Sequence, residues 1–221
     1  ISGFADEGPA DKRAEAQLTM LAALGLSYYS LRFVDLGNGV KNVMQLEAAE
    51  VDRLRELHAA FGIRVSSIGS PIGKVKLLDV EDGTANRFVP FARYLAEDVQ
   101  RAIDLAAAFG TRLIRGFSFY HPKGQDPAAY VEPAAERLAA IAAACARAGV
   151  VFGLEVEANL VGQNGRLLAE IHRRVASPNL VLVFDGGNLA CQNLTPVQTF
   201  AEYDAMRAGI GWIHVKDYRI D

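Results

Sequence analysis

Glu155 and Glu157 stand two residues apart where an apolar run ends, in "VVFGLEVEANLVGQ". Alternate side chains of an extended strand leave on the same face, so the two carboxylates are neighbours on one side. Two like charges that close are costly in a half-buried setting unless something offsets them. Two further stretches carry the means. "VFDGGN" offers Asp185 and "WIHVKD" offers His214, each at the end of an apolar run. Carboxylates and an imidazole from three consecutive strands can converge on one divalent cation. Mixed oxygen and nitrogen donors suit Mn²⁺, Mg²⁺, Co²⁺ or Zn²⁺, and the lack of thiolates argues against a structural zinc site. Plainer readings exist for each residue alone. A strand-end Asp often caps a helix, and a lone His is often structural. The joint pattern on adjacent strands is what favours a metal site at Glu155, Asp185 and His214.

The elements that would position these residues repeat along the chain. Short apolar stretches at 1–6, 26–33, 63–69, 111–119, 150–156, 180–185 and 211–216 read as strands. Between them lie helical patterns with apolar residues three and four apart. "AEAQLTMLAALG" aligns Leu18, Leu21 and Leu24; "EAAEVDRLRELHAAFG" aligns Val51, Leu54, Leu57 and Phe61. Four of the helical patterns end at a glycine, at Gly25, Gly62, Gly110 and Gly149, the expected stop because glycine tolerates positive φ. Alternating strands and helices predict a parallel sheet. The first βα loop lacks G-x-G-x-x-G and no Walker loop appears, which argues against a nucleotide-binding open sheet. Polar residues recur at the C-terminal ends of many strands, as on the active face of a (β/α)8 TIM barrel. Seven βα units are readable over a single domain, 1–221, where that barrel has eight. The expectation is that the natural chain continues past Asp221 by about one βα unit, roughly 40–60 residues.

The composition narrows the function classes. With 221 residues, 51% hydrophobic, the chain can bury one sizeable core. A net charge of −3 offers no polybasic surface for nucleic acid. No apolar run approaches the ~20 residues that span a bilayer. Two cysteines, Cys145 in an Ala-rich helix and Cys191, do not make a disulfide framework, so a cytoplasmic location is the default expectation.

The motifs taken together are specific. "GFADE", "SPIGK", "RGFSFY", "LEVEANLVG", "FDGGNLACQN" and "IHVKD", in that order, resemble the xylose isomerase-like TIM barrel superfamily, and within it the sugar phosphate isomerase/epimerase group. The resemblance implies one divalent metal held by a Glu on strand five, an Asp on strand six and a His on strand seven. These match Glu155, Asp185 and His214; the fourth ligand, a Glu on strand eight, has no counterpart here. It implies a sugar isomerase or epimerase of carbohydrate metabolism. Such an enzyme abstracts a proton next to a carbonyl through a metal-stabilised enediolate. Glu155 is then the first candidate base, as both ligand and base, and Glu157 the second. A small sugar or sugar phosphate is the implied partner, with no nucleic acid or membrane, and a homo-oligomer is compatible. The alternatives are a polyol dehydratase of the same barrel family, an abasic-site endonuclease-like barrel, or a non-catalytic sugar-binding barrel. Four histidines are few for the three-metal endonuclease site.

Further residues are candidate substrate contacts. Lys74 in "GSPIGK" offers a cation to a phosphate or hydroxyl, or is a solvated loop lysine. Arg115 and Arg219 are anion contacts or rim salt bridges. His121 contacts a sugar or caps a loop, and Asn188 and Asp217 orient ligands or touch substrate. Phe4, Phe117, Tyr120 and Trp212 line a pocket wall or pack in the core. His58 and His172 fall within helices and read as surface residues.

Overall fold

The structure, a computed structural model, describes residues 1–216. Asp217 and Arg219 lie outside the described residues. Seven strands form one sheet: β1 (Gly3–Phe4), β2 (Tyr28–Leu31), β3 (Arg64–Gly69), β4 (Leu113–Gly116), β5 (Val151–Glu155), β6 (Leu180–Asp185) and β7 (Ile210–His214). Each strand is hydrogen-bonded to the next in the chain. Parallel neighbours need a crossover between them, and intervening helices supply it. The result is the TIM-barrel-like α/β fold that the alternating pattern predicts.

The chain divides into two compact units. The first comprises Ile1–Ser70 and Gln100–Ile114. It holds β1 to β3, the start of β4, and helices α1 (Ala14–Ala23), α2 (Ala48–Phe61) and α3 (Gln100–Ala108). Helix α2 shows why the sequence folds this way. Glu47 and Glu50 form a reciprocal capping box at its start. Val51, Leu54 and Leu57 bury one face, and Gly62 at φ +66° closes the last turn. Leu24 departs from expectation. Leu18 and Leu21 are buried, but Leu24 is 65% exposed. Steps of three residues fall behind the 3.6-residue turn, so the third leucine rotates off the buried stripe.

His58 also corrects the sequence reading. It is buried, its Nε2 lies 2.7 Å from the Tyr29 hydroxyl, and its ring meets Phe109 edge-on at 5.6 Å. Burial pushes its pKa down to about 4. A second departure is a small antiparallel hairpin, Phe33–Asp35 with Val40–Asn42, where the sequence suggested only a strand end and loop. The Asp35 carboxylate accepts the backbone N–H groups of Gly37 and Gly39 and so closes the turn.

The second unit comprises Pro71–Val99 and Arg115–Asp221. It holds the rest of β4, β5 to β7, and helices α4 (Val131–Arg147), α5 (Gly165–Val175), α6 (Gly186–Ala190) and α7 (Pro196–Met206). Helix α4 buries Ala134, Ala142 and Cys145 beside Leu138 and Ile141, so its small residues let it pack closely. Backbone hydrogen bonds tie the segments after the strands to one another: Phe117 N–H to Ile72 O at 2.7 Å, Leu77 N–H to Tyr120 O at 2.9 Å, and Val161 N–H to Phe119 O at 3.0 Å. Among the described residues, no helix is long and apolar enough to cross a membrane.

Candidate metal centre

Strand register explains how three distant residues meet. In β6 and β7, Asp185 is paired directly with His214, so both side chains leave on one face as neighbours. In β5 and β6, Glu155 is paired with Val183. Val183 and Asp185 are two apart, so Glu155 joins the same face one pleat below. The outcome is a tight group: one donor atom from each of Glu155, Asp185 and His214 lies within 4.8 Å of the others. Glu155 is 4% exposed and Asp185 is fully buried.

Each carboxylate is held by named partners. Oε1 of Glu155 accepts from Asn188 Nδ2 at 3.1 Å and faces His214 Nδ1 at 3.2 Å. Oε2 lies 3.2 Å from Arg115 Nε, so Arg115, read from sequence as an anion contact or rim ion pair, is a buried counter-ion of Glu155. Oδ1 of Asp185 accepts the N–H of Asn188 at 3.0 Å, capping α6. Oδ2 faces His214 Nδ1 at 3.4 Å and Lys216 Nζ at 2.7 Å. The helix-cap and metal-ligand readings of Asp185 are thus compatible, one oxygen for each.

The electrostatics follow. Burial works against ionising Asp185, but His214, Lys216 and the Asn188 N–H outweigh it and hold the carboxyl well below its ordinary range. Burial likewise works against the charged imidazole of His214, yet Asp185 and Glu155 outweigh it and raise its pKa above the ordinary histidine value.

The donor set fits a divalent ion. Ligands at 2.0–2.2 Å from a shared ion stand roughly 3–3.5 Å apart at octahedral to tetrahedral angles. The His214 nitrogen is 3.2 Å from the Glu155 oxygen and 3.4 Å from the Asp185 oxygen. Two buried carboxylates on one imidazole also form the O/N environment that Mg²⁺, Mn²⁺, Co²⁺ or Zn²⁺ accept.

The remaining candidates divide. Asn188 joins the group through Glu155, and its second Nδ2 contact is the carbonyl of Val156 at 3.0 Å. Glu157 follows the end of β5 and is paired with Lys74 at 3.2 Å. The Lys74 ammonium sits 4.3 Å from the Phe117 ring centroid, and the Arg115 guanidinium 4.7 Å from the same ring. Burial and the nearby Glu157 charge raise the pKa of Tyr120. His121 is engaged locally, with Nδ1 3.0 Å from Pro122 O and its ring stacked on Tyr130. Lys216 is a contact that the sequence motifs do not single out. Its signal was its place two residues after His214, the same alternation that singled out Glu155 and Glu157.

Residues 18–221 match the family model described as Xylose isomerase-like TIM barrel, and the chain belongs to that family. No match was found among curated proteins. Solved structures share the fold. A Xylose isomerase-like TIM barrel protein from Mycobacterium smegmatis in complex with magnesium is 21% identical, with a TM-score of 0.71, over 100% of this chain and 76% of that one. L-ribulose 3-epimerase is 19% identical, TM-score 0.67, over 96% and 68%. D-psicose 3-epimerase with D-tagatose, from Clostridium cellulolyticum H10, is 14% identical, TM-score 0.67, over 96% and 72%.

Proposed function

We propose that this chain is a divalent-metal-dependent isomerase or epimerase of a small sugar or sugar phosphate. The observation that carries the reading is the Glu155, Asp185 and His214 donor set, in a family whose solved relatives include ketose epimerases. Glu155, Asp185 and His214 would hold the ion, which supplies Lewis acidity towards substrate oxygens.

The chain's own residues divide the rest of the work. Glu155 takes the proton next to the substrate carbonyl, its carboxylate aimed by Arg115 on one oxygen and by Asn188 on the other. Glu157, two residues on and paired with Lys74, is the second acid/base group. Lys74 offers its ammonium to a substrate hydroxyl or phosphate oxygen. Return of the proton to the opposite face of the same carbon gives epimerisation; delivery to the next carbon gives isomerisation.

The test is solvent-deuterium exchange over a panel of ketoses and ketose phosphates with Mn²⁺ present. Incorporation at the carbon next to the carbonyl, abolished by chelation, is the expected result. Metal binding without exchange on any member of the panel would leave a sugar-binding barrel instead.

A further inference from the structure

Lys216 sits where a second cation would be least expected beside a metal site. Its Nζ is 2.7 Å from Asp185 Oδ2 and 3.0 Å from Asn188 Oδ1. Asp185 Oδ2 is also the oxygen that faces His214, since Oδ1 is taken by the Asn188 N–H. One carboxylate oxygen therefore serves both the ammonium and the converging donors. It has two lone pairs, so it can be shared, but the donor density given to one cation is lost to the other. The two positive charges also repel across a short gap, with Asp185 fully buried and the Lys216 side chain 33% exposed. Asn188 extends the link, because the amide that accepts from Lys216 donates to Glu155.

We propose that Lys216 is a positioning residue that sets the metal affinity of the site downward: it orients Asp185 and Asn188 while competing, through Asp185 Oδ2, with the ion they help to hold. The inference rests on the reading that Glu155, Asp185 and His214 bind a divalent cation. A residue that only supported the fold would act in the opposite sense, because its loss would loosen Asp185 and weaken the ion.

The experiment is a calorimetric Mn²⁺ titration of the full chain, Lys216→Met and Lys216→Gln. Lys216→Met removes charge and hydrogen bonds but keeps an apolar stem. Lys216→Gln removes the charge and keeps a donor on a side chain one atom shorter, and serves alone should the methionine variant fail to fold. Tightening of the Mn²⁺ Kd by about tenfold in the variants is expected, from relief of charge repulsion. Lys216→Arg, which keeps the charge, is expected to stay near the parental Kd. Unchanged or weaker binding in folded Lys216→Gln overturns the inference while leaving the metal site intact. A parent chain that binds none of Mn²⁺, Mg²⁺, Co²⁺ and Zn²⁺ overturns the metal reading itself, and the inference with it.

Discussion

Nδ1 of His214 lies 3.2 Å from Oε1 of Glu155, across 59 residues of chain and one intervening strand. The contact is a product of register. Asp185 opposite His214, and Val183 opposite Glu155, place all three functional groups on one face of three successive strands. A slip of one residue in either pairing would turn one of these side chains to the other side of the sheet.

Replacing Glu155 by glutamine is the sharpest probe of this arrangement. The amide keeps the shape and an acceptor for Asn188 but loses both basicity and charge. Deuterium exchange is expected to fall by about 10²–10⁴-fold, the range for losing a positioned base, and Mn²⁺ affinity to fall with it. Near-parental exchange in a folded Glu155→Gln variant would assign the base elsewhere, with Glu157 next.

Much of this site was legible in the sequence because it depends on local rules. Apolar runs mark where the strands end, and so point to Glu155, Asp185 and His214; the alternation expected to carry on to Glu157 does not apply, because β5 stops at Glu155. What stayed hidden depends on pairing between distant segments. Lys216 lay inside a recognised motif, yet its contact with Asp185 exists only through the β6–β7 register, which shifts between Leu182 and Val183. Arg115 read equally well as a rim residue, because nothing local reveals Glu155 as its partner. His58 occupies a helix position that looks solvent-facing, and is buried by Tyr29 and Phe109, 29 and 51 residues away.

Asn188 is expected to behave oppositely to Lys216. Its amide holds Glu155 Oε1 and the Val156 carbonyl together, and it carries no charge to repel an ion. Asn188→Ala should weaken Mn²⁺ binding by about 10–100-fold, the usual cost of losing a group that orients a ligand. Calorimetry with the same ion checks it, and a Kd within twofold of the parent would remove Asn188 from the ligand-orienting network.

His58 gives the fold a pH dependence independent of the Glu155, Asp185 and His214 group. Its folded pKa is depressed to about 4 from an unfolded value of 6.5, so the unfolded chain binds the extra proton first. The stabilisation is complete above pH 6.5 and is lost as pH falls through 4. Between pH 7 and pH 5 the loss is about 2 kcal/mol. Urea unfolding at the two pH values measures it. In His58→Gln, which keeps a polar group towards Tyr29 but does not titrate, the difference between the two pH values should shrink by about that amount; equal slopes in both proteins would rule out His58 as the source.

Gly73 anchors the segment that carries Lys74, and its replacement should cost more than backbone strain alone. Its φ of +90° disfavours any side chain, and a Cβ there would meet the Phe117 carbonyl oxygen at 2.0 Å. That carbonyl belongs to a backbone segment fixed by the Phe117 N–H bond to Ile72 O, and the Gly73 N–H itself donates to the Tyr94 hydroxyl at 2.7 Å. Neither side can retreat cheaply. Gly83 provides the comparison: its φ is +73°, but nothing lies within 4 Å of its Cβ position. Gly83→Ala should therefore cost about 1 kcal/mol, the penalty for a left-handed residue. Gly73→Ala adds a backbone clash and should cost roughly 2–4 kcal/mol. It should also move Lys74 away from Glu157, and so weaken substrate binding before it alters metal affinity. Paired urea denaturation of the two variants decides the matter: costs equal within about 0.5 kcal/mol would mean that the approach to Phe117 imposes no constraint.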